Sequence, residues 1–201
     1  VMEQLTSLQE QNKNWKISKS TRNEFFTNAL ATISTKSIKM KPFQKYLLDT
    51  KTTKSKMKRD LKNLKTGTTR TYEFLQENFG INEKNNLNLL PSNTSLLPLV
   101  NLFAQTKGKL PEKQTKLLKL WTFLAFHYSR YSGKGYADLD SDIRSIDPND
   151  TLKTIKLWLK SIQHQFGEFK VSDLGSKINN NSRFTVFFAL KENKAKDWWT
   201  G

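Results

Sequence analysis

Three carboxylates at alternate positions have a spacing that could bind a metal ion. Asp138, Asp140 and Asp142 are spaced like the first ligands of a calcium-binding loop. The next position of such a loop should be glycine but is Ile143, and the twelfth should be glutamate but is Asn149. We therefore expect no calcium site. Instead, Asp138 or Asp140 is predicted to cap a helix, with Asp142 on the outer face of that helix.

Other catalytic and metal-binding chemistry has few candidate residues. The chain has no cysteine, and its two histidines, His127 and His164, fall on different predicted helices. A thiolate zinc site, a cysteine nucleophile and a Ser-His-Asp triad are therefore not expected. No acid–base pair is visible, so the sequence predicts no catalytic residue, metal ligand or cofactor site here and leaves enzyme activity open.

A short basic stretch rich in glycine is a candidate phosphate contact. Ser132, Gly133 and Lys134 could present backbone N–H groups to an anion, and Arg130 and Tyr131 directly precede them. The stretch follows a predicted helix and lacks the spacing of a P-loop. The alternative interpretation is a helix C-cap that uses glycine in the left-handed conformation.

The strongest electrostatic feature is segment 36–70. It holds twelve basic and two acidic residues, so it carries +10 of the formal net charge of +16. Lysine and hydroxyl side chains on an exposed helix suit contacts with a phosphate backbone. The alternative is a solvated face in a chain rich in lysine and asparagine, a composition typical of an AT-rich genome. The candidate nucleic-acid contacts are Lys54, Lys58, Arg59, Lys62, Lys65 and Arg70.

Helical periodicity runs through almost the whole chain, and we expect an all-α, multi-helix array with little or no sheet. The segment 112–131 is apolar on nearly all sides and is predicted to be the buried central helix. Gly67 lies inside the longest predicted helix, where that helix could kink or break. The predicted helices cover about 21–33, part of 36–50, 53–79, 95–104, 112–131, 137–146, 151–166 and 182–190. Their expected N-caps include Thr21, Thr94 or Ser95, Asp150 and Ser182.

The organisation we expect is a basic N-terminal helical part, 1–93, and an apolar-core helical part, 94–201. The first residue is not Met and the last residues are aromatic, so we expect one continuous fragment of a larger multidomain protein. The most apolar stretches, 96–104 and 117–126, are shorter than the roughly 20 residues of a membrane-spanning helix. The N-terminus lacks the basic start and apolar run of a signal peptide. We expect a cytoplasmic chain with no membrane partner.

One stretch resembles a known family. Arg130-Tyr131-Ser132-Gly133, followed by Asp142-Ile143 and Ile146, resembles the Arg-Tyr-Ser-Gly segment of GmrSD-type modification-dependent restriction proteins. That family also carries this segment after a hydrophobic helix rich in Trp and Phe. Weaker similarities occur in the same order at Leu96-Leu97-Pro98-Leu99-Val100 and at Ala195-Lys196-Asp197-Trp198-Trp199-Thr200-Gly201.

The resemblance implies a role between two catalytic domains. In such proteins an N-terminal ParB-like domain carries an Asp-Gly-Gln-Gln-Arg motif, and a later HNH-type nuclease domain carries metal-binding histidines. Neither motif occurs in this sequence. The chain would be the non-catalytic helical region that contacts DNA and links these flanking domains. Arg130, Ser132 and Lys134 would form a conformational junction or a phosphate contact. The parent protein would be an NTP-dependent endonuclease that uses a nucleotide and a divalent metal.

Two other functions remain open on the sequence. The chain could be a stand-alone basic helical module that binds nucleic acid. It could also be a protein-interaction scaffold that could form an oligomer. Its lysines would then reflect composition alone. Steep salt dependence of nucleic-acid binding would favour the first, and indifference to nucleic acid the second.

Overall fold

The computed structural model describes residues 19–49, 54–81, 89–106, 108–132, 135–167 and 180–192. Within these ranges the chain forms eight α-helices and a 3-10 helix at Asn93–Leu96, with no strand, which confirms the predicted all-α fold. The helices are α1 (Lys19–Thr35), α2 (Met40–Leu48), α3 (Lys54–Phe79), α4 (Leu97–Gln105), α5 (Glu112–His127), α6 (Tyr136–Arg144), α7 (Thr151–Phe166) and α8 (Asn180–Glu192).

Helix α4 is the most completely buried helix of the described chain. Residues 97–103 are all buried, because α3 packs along α4 while α1 and α6 also contact it. Pro98 lies in the first turn, as predicted, where its missing N–H would have had no partner inside the helix. The buried amide of Asn101 donates to the hydroxyl of Thr32 in α1 over 2.8 Å. Apolar packing and this polar contact together fix α4 against α1.

Gly67 brings α3 and α4 close together. A Cβ at this position would lie 2.3 Å from the carbonyl oxygen of Val100 and 3.0 Å from the Cβ of Ala104. Helix α3 runs without a break past this point, so the predicted break at Gly67 is wrong, whereas a kink there stays a prediction. The glycine is needed for a close approach between two helices. Gly80, with φ of 67°, ends α3.

The apolar segment 112–131 is not the buried centre that its composition predicts. Helix α5 ends at His127, and the chain then turns, with φ of 46° at Ser129. Trp121 and Phe126 are fully buried against α7 and α8, but Leu120 is 48% exposed. The prediction is wrong because the apolar residues on the other side of α5 line an open groove.

Three predicted helix caps are misplaced. Thr21 and Ser182 lie inside α1 and α8, which begin at earlier residues. Ser92, rather than Thr94 or Ser95, provides the cap that leads into α4, because its side chain accepts a hydrogen bond from the Ser95 amide at 3.3 Å. Each predicted cap has the correct residue type but lies a few positions from the true helix start.

A single buried cluster runs through the described part of the chain, from Phe25 in α1 to Phe184 in α8. It includes residues from both of the parts distinguished in the sequence. No helix among the described residues is long and apolar enough to cross a membrane.

Candidate nucleic-acid interface

The outer face of α3 carries five of the six predicted nucleic-acid contacts. The opposite side of the helix, including Met57, Leu64 and Phe79, is buried in the core. Because a helix rises 1.5 Å per residue, the first and last of these cations are about 16 Å apart along its axis. We call this surface the α3 basic face, and its residues, all exposed, are Lys54, Lys58, Arg59, Lys62 and Lys65.

The charges of α3 oppose the helix dipole at its two ends. The first turn contains Lys54 and no acidic residue, and the last turn contains the exposed Glu77. The dipole acts only within the first and last turns, so Lys58, Lys62 and Lys65 lie beyond its reach. Helix stability therefore does not account for the positions of Lys54 and Glu77.

Helix α2 and its N-cap carry a second group of exposed lysines. Lys39, at its N-cap, and Lys41 and Lys45 within it are exposed. The hydroxyl of Tyr46 donates to Oδ2 of Asp60 over 2.7 Å, which fixes α2 against the N-terminal half of α3. These lysines belong to the predicted basic segment but were not among the predicted contacts. The contact places α2 on the side of α3 that carries Asp60, about 120 to 160° around the helix axis from the lysines of the α3 basic face, so these lysines form a separate basic patch.

The tyrosine that joins the two helices has an altered acidity. Burial raises the pKa of Tyr46 to about 12, and the hydrogen bond to Asp60 and its negative charge contribute in the same direction. The ammonium of Lys56 lies 4.7 Å from the centre of the Tyr46 ring. Arg59 lies 3.7 Å from Asp60, with its side chain mostly exposed. The phenol is therefore a neutral hydrogen-bond donor at physiological pH.

Arg70 has a different role from the one predicted. It is half-buried, and its guanidinium donates to the carbonyl oxygens of Phe103 at 3.1 Å, Thr106 at 2.8 Å and Gly108. These contacts satisfy carbonyls at the C-terminal end of α4, where a positive charge is favourable. Burial lowers the pKa of Arg70. We remove Arg70 from the candidate phosphate contacts because its donors are engaged within the fold.

Arg130 and Tyr131 are buried in a polar cluster. Nε and Nη2 of Arg130 donate to the carboxylate of Asp142 at 3.0 and 3.3 Å. Nη2 also donates to Oγ of Ser161 at 2.8 Å, and Nη1 donates to Gln165. The hydroxyl of Tyr131 donates to Oδ2 of Asp142 at 2.6 Å. The predicted phosphate contact is therefore wrong for these two residues, since their side chains face the interior.

Asp142 lies in the core, although the sequence predicted it on the outer face of its helix. The indole N–H of Trp158 donates to its backbone carbonyl at 3.0 Å. Burial raises the pKa of the Asp142 carboxyl, and the hydrogen bonds and charge of Arg130 oppose this rise. Burial also raises the pKa of Tyr131. For Arg130, burial lowers the pKa, but the hydrogen bond and charge of Asp142 raise it more, so the net shift is upward.

The rest of the glycine-rich stretch is described only in part. Ser132 is exposed, and its hydroxyl donates to the carbonyl of Ser129 at 2.8 Å. Gly133 and Lys134 lie outside the described residues, so their phosphate contact stays a prediction. A Cβ at Gly135 would lie 2.6 Å from the carbonyl oxygen of Arg130, so the packing of this turn requires glycine.

The three alternating aspartates have separate partners. Asp140 accepts hydrogen bonds from the hydroxyl of Ser37 and the amide of Ile38, both at 2.9 Å. Helix α6 begins without a side-chain cap, so the predicted capping by Asp138 or Asp140 is wrong. Asp142 is held by the buried cluster. No group of three or more potential metal ligands occurs in the part of the chain that the structure describes.

The two histidines occupy α5 and α7, as predicted. Nδ1 of His127 and the hydroxyl of Thr185 lie 2.8 Å apart and join α5 to α8. His164 is exposed in the last turn of α7. Neither position brings a histidine to the α3 basic face.

Comparison of the chain with protein-family models, with curated proteins and with solved structures gives no match. The relationship to GmrSD-type proteins therefore rests on the sequence resemblance and stays a prediction. The weaker similarity at 195–201 lies outside the described residues.

Proposed function

We propose that this chain binds DNA through the phosphate backbone, as the helical, non-catalytic region of a GmrSD-like phage-defence restriction protein in the cytoplasm. The observation that carries the DNA-binding part is the row of exposed cations on the α3 basic face. In the parent protein this region would couple an N-terminal nucleotide-sensing domain to a C-terminal HNH-type nuclease. The nucleotide and the divalent metal would bind in those domains.

The geometry of the α3 basic face favours backbone contact over base recognition. Lys54, Lys58 and Lys62 follow one another at intervals of four residues, so their side chains project from the same side of the helix. Flexible lysine side chains act as point charges toward phosphates, and such contacts carry no direct sequence information. We therefore expect DNA binding that depends weakly on sequence and strongly on salt.

The family part of the proposal has separate support. The residues that carry the resemblance contact one another, because Arg130 and Tyr131 both bind Asp142. A motif whose members form one buried cluster would be retained as a unit. The coding sequence around this chain tests the idea. An Asp-Gly-Gln-Gln-Arg motif upstream and an HNH motif downstream would support it, and absence of both would refute the restriction-protein assignment.

A salt titration tests DNA binding. We expect the full chain to bind a labelled 20-base-pair duplex in fluorescence anisotropy. For about five phosphate contacts, affinity should fall roughly 500-fold between 50 and 200 mM salt. Glutamate at Lys54, Lys58, Lys62 and Lys65 should reduce the slope of log K against log salt by up to about four. Circular dichroism would verify that the variant is folded.

A matched variant distinguishes the effect of the α3 basic face on binding from the effect of net charge alone. Lys113 on α5 and Lys153, Lys156 and Lys160 on α7 are also exposed. Four changes to glutamate there alter the net charge equally but leave the α3 basic face intact. This control should keep most of the original salt slope. Equal loss in both variants, or no binding by the unaltered chain at low salt, would refute DNA binding through this face.

A protein-interaction scaffold is the second candidate, and a groove between α5, α7 and α8 favours it. The groove has a volume of about 650 Å³ and is lined by apolar side chains that include Leu120, Leu159 and Phe188. Exposed apolar surface of this kind can accept a partner. Light scattering on the full chain and on Leu120→Asp would detect self-association through the groove. The scaffold hypothesis predicts association that the substitution abolishes, whereas DNA binding predicts no effect of the substitution on affinity for the duplex.

A further inference from the structure

The groove between α5, α7 and α8 presents large apolar side chains that the described helices do not fully cover. Its volume of about 650 Å³ is within the range of binding sites in proteins. Leu120 of α5, Leu159 of α7 and Phe188 of α8 line it, and Leu120 is 48% exposed. Covering such surface is favourable because it removes apolar area from water. The groove therefore suits an apolar occupant.

Helix α8 ends at this groove. Glu192 is the last residue of α8 and lines the groove, and Nζ of Lys119 in α5 donates to its Oε1 over 2.9 Å. The contact places the end of α8 beside α5. Residues 193–201 lie outside the described part of the chain, and they must begin from this point on the groove.

Two adjacent tryptophans occur shortly after α8. Trp198 and Trp199 follow the mostly polar stretch Asn193-Lys194-Ala195-Lys196-Asp197. An aromatic side chain of this size buries about 150 to 250 Å² when it is covered. The sequence therefore supplies two large apolar groups on a polar tether that starts at an apolar groove.

The tether is long enough for the tryptophans to reach the whole groove. The residues of α5 that line it extend from Lys116 to Tyr128, which is about 18 Å along the helix axis. Trp198 is six residues beyond Glu192. An extended chain spans at most 3.3 to 3.6 Å per residue, so Trp198 can lie up to about 20 Å from Glu192.

We infer that Trp198 and Trp199 dock in the groove between α5, α7 and α8 of their own chain. A short tether gives the pair a high effective concentration at the groove, which favours it over a second copy of the chain as occupant. The docking does not depend on DNA binding. Only its consequence rests on the proposed function: in the parent protein, docking would fix the start of the nuclease domain against this helical region.

Quenching of tryptophan fluorescence by acrylamide tests the docking on the full chain. With Trp15→Phe in every variant, the tryptophans are the proposed pair and the buried Trp121 and Trp158. All should be shielded in the original groove. Leu120→Asp puts a carboxylate there, whose burial is costly, so the pair should undock and about half of the fluorescence should become accessible. Leu157→Asp is the matched control, because Leu157 is 46% exposed on another part of α7, and it should leave quenching unchanged.

Cross-linking distinguishes docking within one chain from docking between two copies. The chain has no cysteine, so thiols can be introduced at chosen positions. Gln163 lines the groove, and a short bismaleimide should link Gln163→Cys to Thr200→Cys within one chain. His164→Cys, at the next exposed residue and outside the groove lining, should link to Thr200→Cys much more slowly. Serine at both tryptophans should abolish this difference.

Three outcomes would overturn the inference. The tryptophans could be as accessible with the original groove as with Leu120→Asp, although circular dichroism shows both variants folded. Gln163→Cys and His164→Cys could link to Thr200→Cys at equal rates. Links formed only between two chains would assign the groove to a second copy instead. Duplex binding by the serine variant should be unchanged, so shielded tryptophans in a chain that binds no duplex would refute the proposed function and leave the docking standing.

Discussion

Replacing Asp142 with Leu tests the buried cluster, which we expect to hold α6 to the turn after α5 and to α7. The side chains of Arg130 and Asp142 are 1% and 4% exposed and 3.0 Å apart. Asp142→Leu leaves a buried guanidinium without its counter-ion and the Tyr131 hydroxyl without its acceptor. Breaking one side of a buried ion pair costs about 3 to 5 kcal/mol, and an unsatisfied buried hydroxyl adds roughly 1 to 3. Because the two losses share one carboxylate, we expect a net loss of about 4 kcal/mol in the free energy of unfolding.

Urea denaturation followed by circular dichroism measures this loss. Combining Asp142→Leu with Arg130→Met removes both charges, so most of the lost stability should return, which makes the pair strongly non-additive in a double-mutant cycle. The control is Arg144→Ala. That arginine pairs with Asp140 on the surface and is 58% exposed, so its loss should cost about 1 kcal/mol or less.

Two outcomes would refute this reasoning. A loss below about 1.5 kcal/mol for Asp142→Leu would place the change in the range of ordinary substitutions. Simple addition of the two single effects in the double variant would show that Arg130 and Asp142 do not depend on each other.

Two further predictions concern α3 and its contact with α2. Gly67→Ala should gain about 1 kcal/mol of helix propensity but lose more, because the new Cβ would lie 2.3 Å from the carbonyl oxygen of Val100. Thermal unfolding should show a net destabilisation of about 1 to 3 kcal/mol, and a stabilised variant would contradict the close packing. Burial raises the pKa of Tyr46 to about 12, so its stabilising contribution is complete below pH 10 and is lost as pH rises through about 12. Tyr46→Phe should therefore lose less stability than the unaltered chain between pH 9 and 11 in urea titrations, and identical losses would contradict the pKa shift.

The helices could be predicted because each depends mainly on its own residues. In α3, a seam of seven residues spaced three or four positions apart is buried throughout: Met57, Leu61, Leu64, Thr68, Tyr72, Leu75 and Phe79. Asp150 precedes an amphipathic pattern and caps α7 by accepting from the Lys153 amide at 2.9 Å. In both cases the residues that determine the structure lie within one or two helical turns of each other, so local periodicity is informative.

The buried polar contacts could not be predicted because they join distant parts of the chain. Arg70 binds carbonyls at Phe103 and Thr106, and nothing near Arg70 in the sequence marks them as partners. Arg130 and Asp142 meet only because a turn brings α6 back against the end of α5. The available signal was an arginine followed by tyrosine, with an aspartate between Leu139 and Ile143 in the next helix. Helix periodicity alone placed that aspartate on the outer face.

The apolar composition of α5 predicted more burial than the structure shows, for a related reason. Hydrophobic residues on several sides of a helix are expected both in a core helix and in a helix that borders a groove. Leu120 belongs to the second case, whereas Trp121 packs at 4.5 Å between ring centres on Trp158. Only the positions of neighbouring helices distinguish a core helix from a helix that borders a groove.

The different positions of the arginines, which are bound within the fold, and of the exposed lysines bear most directly on function. Arginine is scarce in this chain, and Arg70, Arg130 and Arg144 are all engaged by carbonyl or carboxylate groups of the fold. A planar guanidinium satisfies several such acceptors at once, which an ammonium cannot do in the same geometry. Compositional bias can explain why the other basic positions are lysine. It does not explain why the exposed lysines of α3 lie in its N-terminal half, with Lys54 in the first turn where the helix dipole disfavours it, while exposed glutamates lie in the other half. An anionic partner along the N-terminal half of α3 accounts for that order, which makes this face the first surface to alter.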